Sequence, residues 1–287
     1  MPASIPPLPS VLYETLIRRA LEEDLGRAGD ITTDAIVAIG DSSSARFVAR
    51  QDGVIAGLDV AALTFTLLDT DIKFNKVAVD GTTVRPGDLI ATVTGATRTL
   101  LMGERTALNF LGRLSGIATA TAEMVSAVAA YDTDIVCTRK TTPGHRILEK
   151  YAVRIGGGIN HRFGLDDAML IKDNHVIAAG GIIPALQRAR GAAGHLVKIE
   201  IEVDTLDQLD DVLSLHPKGA DVVMLDNFSA AEIKEATRRI DGRLLTEISG
   251  GVTLASVSEL AASGADLISS GALTHSVKTL DVGLDFD

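Results

Sequence analysis

The chain has 287 residues, 46% hydrophobic and 23% charged, the balance of a globular protein of about two domains that can bury a sizeable core. With 38 Asp and Glu against 27 Lys and Arg, its formal charge is -11, which argues against nucleic-acid or membrane-surface binding. It has no Trp and only 3% aromatic residues, so base-stacking platforms are not expected either. A single cysteine, Cys137, excludes an internal disulfide framework and a cysteine-based zinc site. No run approaches about 18 uninterrupted apolar residues. The first ten residues hold four prolines and neither a basic n-region nor an apolar h-region, so no signal peptide is read and a cytoplasmic protein is expected.

Residues 11–25 carry Leu12, Leu16, Ala20 and Leu21 at helical spacing and read as a helix. Short alternating segments follow at 44–49, 53–55, 74–79, 82–84 and 89–93, divided by turn signals such as Asp52-Gly53, Asp80-Gly81 and Pro86-Gly87-Asp88. A helix over 60–68 interrupts them. The N-terminal part is therefore an α+β domain on a small sheet. Segment 80–95 resembles the hammerhead strands of biotinyl and lipoyl carriers, but no lysine lies between Lys76 and Lys140 to carry a prosthetic group. The sheet is read as structural.

From Ser115 the pattern changes. A helix running to about Ala130 leads into apolar strands at 134–138, 168–171, 197–203, 221–225, 244–248 and 266–269. Helical segments at 145–155, 182–192, 206–215, 230–240 and 254–262 separate them. This alternation predicts parallel strands joined by right-handed crossovers. Six strands fall short of a complete eight-stranded barrel, so either the barrel is incomplete or a strand is hidden. An open doubly wound sheet would want a glycine fingerprint after its first strand, and Gly156-Gly157-Gly158 reads instead as a helix-ending cluster. The expected division is an N-terminal α/β sandwich domain over 1–114, an α/β barrel over 115–275, and a tail, 276–287, that packs back on the first domain.

Parallel α/β barrels carry their chemistry at the carboxyl ends of the strands. Here those ends are Thr138-Arg139-Lys140, Lys172 with Asp173-Asn174-His175, Glu200 and Glu202, Asp226-Asn227, Ser249-Gly250-Gly251, and Ser270-Gly271-Ala272. From Arg98 to Lys172 ten Lys and Arg face seven Asp and Glu, a local positive excess in an acidic chain. Arg139, Lys140, Arg162 and Lys172, with His161 beside them, suit a small ligand with two or more anionic groups. The alternative is a solvated, salt-bridged face. Glu202 and Asp226 end consecutive strands and suit Mg²⁺ or ribose hydroxyls, or else pair with nearby lysines. The Ser249 and Ser270 glycine loops offer backbone N–H groups for a phosphate, although glycine turns after strands are also routine. Cys137 lies in an apolar strand and reads as core.

Further motifs then come into view: Glu104-Arg105-Thr-Ala-Leu-Asn109, Leu114-Ser-Gly-Ile-Ala-Thr119, Thr138-Arg-Lys-Thr-Thr-Pro-Gly144, Gly156-Gly-Gly-Ile-Asn-His-Arg162, Ile171-Lys-Asp-Asn-His175, Asp226-Asn-Phe228, Ser249-Gly-Gly251 and Gly271-Ala-Leu-Thr-His-Ser276. In this order they closely resemble the quinolinate phosphoribosyltransferase family, and the likeness runs from Glu23-Asp24 and Gly29-Asp-Ile-Thr-Thr33 to the C-terminus. The resemblance implies a type II phosphoribosyltransferase fold, an N-terminal α/β sandwich with an incomplete, roughly seven-stranded α/β barrel. It implies a head-to-tail homodimer in which each N-terminal domain closes the other subunit's barrel. The implied reaction takes quinolinate and phosphoribosyl pyrophosphate, with Mg²⁺, to nicotinate mononucleotide, pyrophosphate and CO₂, a step of NAD biosynthesis.

By the same resemblance Arg139, His161, Arg162 and Lys172 bind the quinolinate carboxylates, with Arg105 reaching in from the partner subunit. Thr138 belongs to the same substrate-binding motif, and Lys140 faces the pyrophosphate or a ring carboxylate. Glu202 and Asp226 hold the ribose hydroxyls and are the candidate Mg²⁺ residues, directly or indirectly. Ser249, Gly250, Gly251, Ser270, Gly271 and Ala272 take the 5′-phosphate. Lys140, Lys172, Glu202 and Asp226 form the expected catalytic set, and either lysine is a candidate proton donor to the product ring. Three other readings stay open: a family paralogue acting on another anion, a Schiff-base aldolase using Lys172, and a phosphate-ligand sensor without catalysis.

Overall fold

The computed structural model of the protein describes residues 5–286. Two compact units result: one comprises the chain up to 122 with 141–157 and 273 onward, the other 123–140 and 158–272. In chain order α1 (Glu14–Leu25), α2 (Ile31–Ile36), β1 (Ser42–Ala49), β2 (Gly53–Val54), α3 (Leu58–Leu68), β3 (Lys73–Lys76), β4 (Thr83–Val84) and β5 (Leu89–Ala96) precede a long helix, α4 (Thr97–Val128). Next come β6 (Asp134–Val136), α5 (Arg146–Ile155), β7 (Met169–Ile171), α6 (Asp173–Ala179), α7 (Ile182–Ala192), β8 (Ile199–Val203) and α8 (Leu206–Ser214). The chain closes with β9 (Val222–Asp226), α9 (Ala230–Ile240), β10 (Leu245–Ser249), α10 (Val257–Ala261), β11 (Leu267–Ser269), α11 (Ala272–His275) and β12 (Val282–Phe286).

The first unit is built on an antiparallel sheet in the order β12-β1-β5-β3. Phe47, Ile90 and Val93 are buried in a core shared with Leu58, Phe65, Leu100 and Leu111 from the helices, and Ile90 sits where the β1–β5 register shifts. Three rings, Phe47, Phe65 and Phe74, meet with centroids 5.5–6.3 Å apart, which places three of the ten aromatic residues in one cluster. The Asp30 carboxylate accepts from the Thr33 N–H (3.0 Å), which caps α2 and accounts locally for the Gly29–Thr33 motif. In the tail, β12 pairs with β1 from Ala45↔Phe286 to Ala49↔Val282.

Two boundaries differ from the sequence expectation. Helix α4 begins at Thr97, not near Ser115, so the division expected at 114 falls inside a helix. Gly103, Gly112 and Gly116 dilute its apolar period, and each sits where a side chain would not fit. A Cβ on Gly103 would press the Phe65 ring, and one on Gly116 would overlap the Lys278 carbonyl oxygen. The Leu280 N–H donates to the Gly112 carbonyl (3.0 Å), which holds the tail against this bare stripe. Residues 141–157, expected in the barrel, belong to the first unit.

The second unit is a wholly parallel sheet in the order β6-β11-β10-β9-β8-β7. Ile159 adds a one-residue bridge on the outer side of β6, next to Val136. The six strands fall close to the positions expected from the sequence. The sheet is rolled. In a flat sheet the Ile159 segment and β8 would stand roughly 24 Å apart, five spacings of about 4.8 Å. Instead His161 Nε2 lies 2.7 Å from Glu200 Oε2 of β8. Ile199, Ile201 and Val203 of β8 are buried on one face, which leaves Glu200 and Glu202 on the concave face.

Substitution of Gly116 by Ala should lower stability by about 1–3 kcal/mol through overpacking against the tail. Gly191→Ala, in α7 with open space around its Cβ, should instead stabilise by about 0.5–1 kcal/mol. Thermal unfolding of the two variants should move Tm in opposite directions.

Candidate functional site

The cationic side of the concave face is built first. Thr138 Oγ1 accepts from the Lys140 N–H (3.0 Å), a short turn that ends β6 and brings Arg139 and Lys140 out of the strand. Arg139 is half-buried and Lys140 exposed. Arg162 Nη1 donates to the Ala168 carbonyl (3.1 Å), while its Nε is buried with no hydrogen-bond partner. Burial first, then the nearby Arg139 guanidinium, lowers the Arg162 pKa, with Glu200 and Asp167 opposing. Two guanidiniums are thus held close enough to repel, with a buried N–H unsatisfied. An anion relieves both.

The acidic side forms at the ends of β8 and β9. Carboxylate oxygens of Glu202, Asp204 and Asp226 all lie within 4.8 Å of one another. Glu202 and Asp226 were expected side by side; Asp204, which follows β8, was not anticipated. Glu202 also makes an ion pair with Lys172, and the Asn227 Nδ2 amide donates to Asp226 Oδ2 (2.7 Å). The structure therefore joins Lys172 to the acidic group and not to the arginines, and the lysine-pairing alternative holds for Glu202. His175 accepts the Lys172 N–H at Nδ1 (2.9 Å) and serves to start α6.

The glycine loops interlock. Gly250 and Gly251 follow Ser249 with φ of +95° and +59°, and the Asn227 N–H donates to the Ser249 carbonyl (3.1 Å). Ser270 is buried. Its N–H continues the ladder to the Val136 carbonyl (3.0 Å), and its Oγ donates to the Val252 carbonyl (3.3 Å), which ties the two loops together. Ser270 thus supports the loops by its own bonds, beside Gly250, Gly251 and the turn of Gly271 into Ala272, where α11 begins. Arg105 lies in the first unit, exposed on α4.

His161 is held within the chain at both ring nitrogens: its Nδ1 accepts the Arg162 N–H (2.8 Å) and its Nε2 meets Glu200 Oε2 (2.7 Å). Beneath it sits Glu247, in the middle of β10 and 2% exposed, which the sequence reading passed over. Its pKa is raised from the ordinary 4.5 to about 8, by burial and then by the Glu200 charge, with His161 opposing. The signal available was an acidic residue in the middle of a strand, Leu-Thr-Glu-Ile-Ser. Cys137 is buried with its thiol toward Asn160 Oδ1 (3.3 Å), as a core residue.

Comparison with known proteins bears on both units. The profile "Quinolinate phosphoribosyl transferase, N-terminal domain" matches residues 30–115, and the corresponding C-terminal profile matches 117–285. The chain belongs to the quinolinate phosphoribosyltransferase family. It is 47% identical over 277 residues to the nicotinate-nucleotide pyrophosphorylase [carboxylating] of Mycobacterium leprae, covering 94% of this chain and 95% of that one. Identity to the probable enzyme of the same name from Bacillus subtilis is 44% over 271 residues, covering 94% and 92%. The structure of the nicotinate-nucleotide pyrophosphorylase from Francisella tularensis superposes with a TM-score of 0.92 at 38% identity, covering 98% of both chains. The family's fold, a sandwich domain with an incomplete α/β barrel, is the fold described above.

Gly250→Ala should be costly twice over: left-handed backbone is unfavourable by about 1–2 kcal/mol for a residue with a Cβ, and that Cβ would overlap Asn227 Oδ1. A lower Tm with weakened phosphate binding is the expected readout. For Glu247 the folded state binds a proton that the unfolded chain releases between about pH 4.5 and 8, so this residue lowers stability as pH rises through that window. Glu247→Gln should therefore gain Tm relative to the parent protein as pH is raised from 4.5 to 8.

Proposed function

We propose that this protein is a decarboxylating quinolinate phosphoribosyltransferase, which converts quinolinate and phosphoribosyl pyrophosphate to nicotinate mononucleotide, pyrophosphate and CO₂ in NAD biosynthesis. The observation that carries the reading is the Arg139–Arg162 pair, two mutually repelling guanidiniums with a buried, unsatisfied Nε–H. Pyridine-2,3-dicarboxylate is a flat dianion whose neighbouring carboxylates suit two forked donors. Lys140 and Lys172 add point charge for the pyrophosphate. The partner subunit of a homodimer would contribute its own Arg105, which lies exposed on α4.

The sugar end of the substrate meets the acidic group. Glu202, Asp204 and Asp226 offer the oxygen donors that hard cations prefer, so they fit Mg²⁺, and Glu202 and Asp226 also suit the ribose hydroxyls. Magnesium bound with the pyrophosphate supplies charge neutralisation of that leaving group. The interlocked Ser249–Gly251 and Ser270–Ala272 loops would cradle the 5′-phosphate through backbone N–H groups.

Chemistry follows from this placement. The pyridine nitrogen forms a bond to the anomeric carbon as the bond to pyrophosphate breaks, and the electron pair leaves with pyrophosphate. The positively charged ring then accepts the electrons of the bond to the 2-carboxylate, which departs as CO₂, and a proton replaces it on the ring. No protein nucleophile is needed. Catalysis is positioning and electrostatics, so lysine and arginine matter more than any acid or base.

No helix among the described residues is long and apolar enough to cross a membrane. A cytoplasmic location is part of the proposal, supported by a single cysteine, buried Cys137, with no second cysteine in the chain for a disulfide.

Purified protein with quinolinate, phosphoribosyl pyrophosphate and Mg²⁺ should form nicotinate mononucleotide, and replacement of quinolinate by nicotinate should give none. Product from neither acceptor in a folded protein would sink the reading. Arg139→Ala should lower kcat/KM for quinolinate by roughly 10- to 150-fold, the worth of a lost charged hydrogen bond of about 1.5–3 kcal/mol. Near-parental kcat/KM in that variant would remove Arg139 from the site.

A further inference from the structure

The concave face of the second unit buries two carboxyl groups around one hydrogen-bond donor. Glu200 and Glu247 are 7% and 2% exposed, and one oxygen of each is buried without a partner. They line, with His161, Arg162 and Lys198, a cavity of about 160 Å³. Because His161 Nδ1 accepts the Arg162 N–H, the neutral imidazole must carry its hydrogen on Nε2, and that N–H donates to Glu200 Oε2 at 2.7 Å. Glu247 Oε2 is 3.9 Å from the same nitrogen, beyond hydrogen-bond reach.

The remaining charged groups leave Glu247 uncompensated. The Lys198 ammonium is turned to Asp221 Oδ1 (3.4 Å) and largely exposed, and the Arg162 fork is committed at Nη1 to the Ala168 carbonyl. From β11 the Ser269 hydroxyl is a neutral hydrogen-bond partner of the Glu247 carboxyl and also lies 3.3 Å from the Ile248 carbonyl, so it brings no positive charge. Two buried carboxylates in contact cannot both ionise at small cost. A metal ion on His161, Glu200 and Glu247 would solve the charge problem, but Nε2 bears a hydrogen in the tautomer that the Arg162 N–H imposes and has no lone pair to give.

We propose that Glu247 is held as the neutral acid beside Glu200, and that it acts as a positioning residue which keeps the cavity shared with Arg162 one negative charge lower, so that the arginine pair can take a dianion. The inference rests on the reading of this face as the quinolinate site. It explains why an acid stands in the middle of β10: a proton on Glu247 gives Glu200 a second donor and leaves His161 in a single tautomer. The upward displacement of the Glu247 pKa to about 8 agrees with the geometry. Ionisation of Glu247 adds a full charge in the cavity that Arg162 lines and weakens a dianionic ligand more than a monoanionic one.

Infrared spectra of the whole protein in D₂O test the proton itself. A protonated-carboxyl band present at pH 7, lost on titration through about pH 8 and missing in Glu247→Gln, is the expected result. Absence of the band, or a band unchanged in the variant, would overturn the assignment. The functional arm is the pH profile of KM for quinolinate, which should rise roughly tenfold above pH 8 in the parent protein, with kcat and the KM for phosphoribosyl pyrophosphate much less affected, and should stay flat in Glu247→Gln. Glu200→Gln removes the neighbouring charge and should move the rise to lower pH, which keeps the test open if Glu247→Gln fails to fold. A KM rise that persists unchanged in both variants would refute the positioning role. Metal retained after EDTA in the parent and lost in Glu247→Gln would also overturn the proposal in favour of a metal site. If the band behaves as expected but no quinolinate turns over, the proposed reaction fails and the proton assignment stands.

Discussion

Charge on the inside of a rolled parallel sheet is the constraint on which this structure depends. A sheet of this kind normally fills its concave side with branched apolar residues. Here Glu200, Glu202 and Glu247 project there, and His161 and Arg162 line one cavity with Glu200 and Glu247. Each charge is tolerable only because another stands against it. Glu200 has the His161 N–H, Glu202 has Lys172, and Arg162 donates to the Ala168 carbonyl. The roll of the sheet makes this possible, since it carries the Ile159–Arg162 segment across to β8.

The surrounding elements hold that inner face in shape. Ser270 joins the ladder through its N–H and ties down the loop after β10 through its hydroxyl, so the two glycine turns are bonded to each other. Asn227 adopts left-handed backbone (φ 57°) and bonds both Asp226 and the Ser249 carbonyl, which links the end of β9 to the loop after β10. In the first unit a different logic applies. There the core is apolar and aromatic, and the precision lies in a glycine-lined helix that admits the returning tail.

Much of the site was legible because strand ends are legible. Apolar runs of four to seven residues ended in Arg139-Lys140, Lys172, Glu202, Asp226 and the two glycine turns, and parallel topology alone gathers such ends on one side. Glu247 was not legible in that way. It lies mid-strand, where polarity is a local inconsistency whose meaning depends on what sits opposite across the roll. His161 was assigned to a ligand by its company of arginines, whereas its two ring nitrogens are occupied by Arg162 and Glu200, a fact of distance and not of spacing. The start of α4 was hidden for a different reason: glycines that serve close packing look, along the chain, like breaks in a helix.

By itself the sequence determined the class of each unit, the order of the βα repeats, the residues that carry charge to the strand ends, and the family. Those are consequences of periodicity, turn chemistry and residue type, which are local properties. Tertiary structure alone decided which charges meet: Lys172 with Glu202, His161 with Glu200, Glu247 with neither cation, and 141–157 with the first unit. The physical reason is that a carboxyl's ionisation and a histidine's tautomer are set by burial and by neighbours within about 4 Å, and these neighbours are tens of residues apart along the chain.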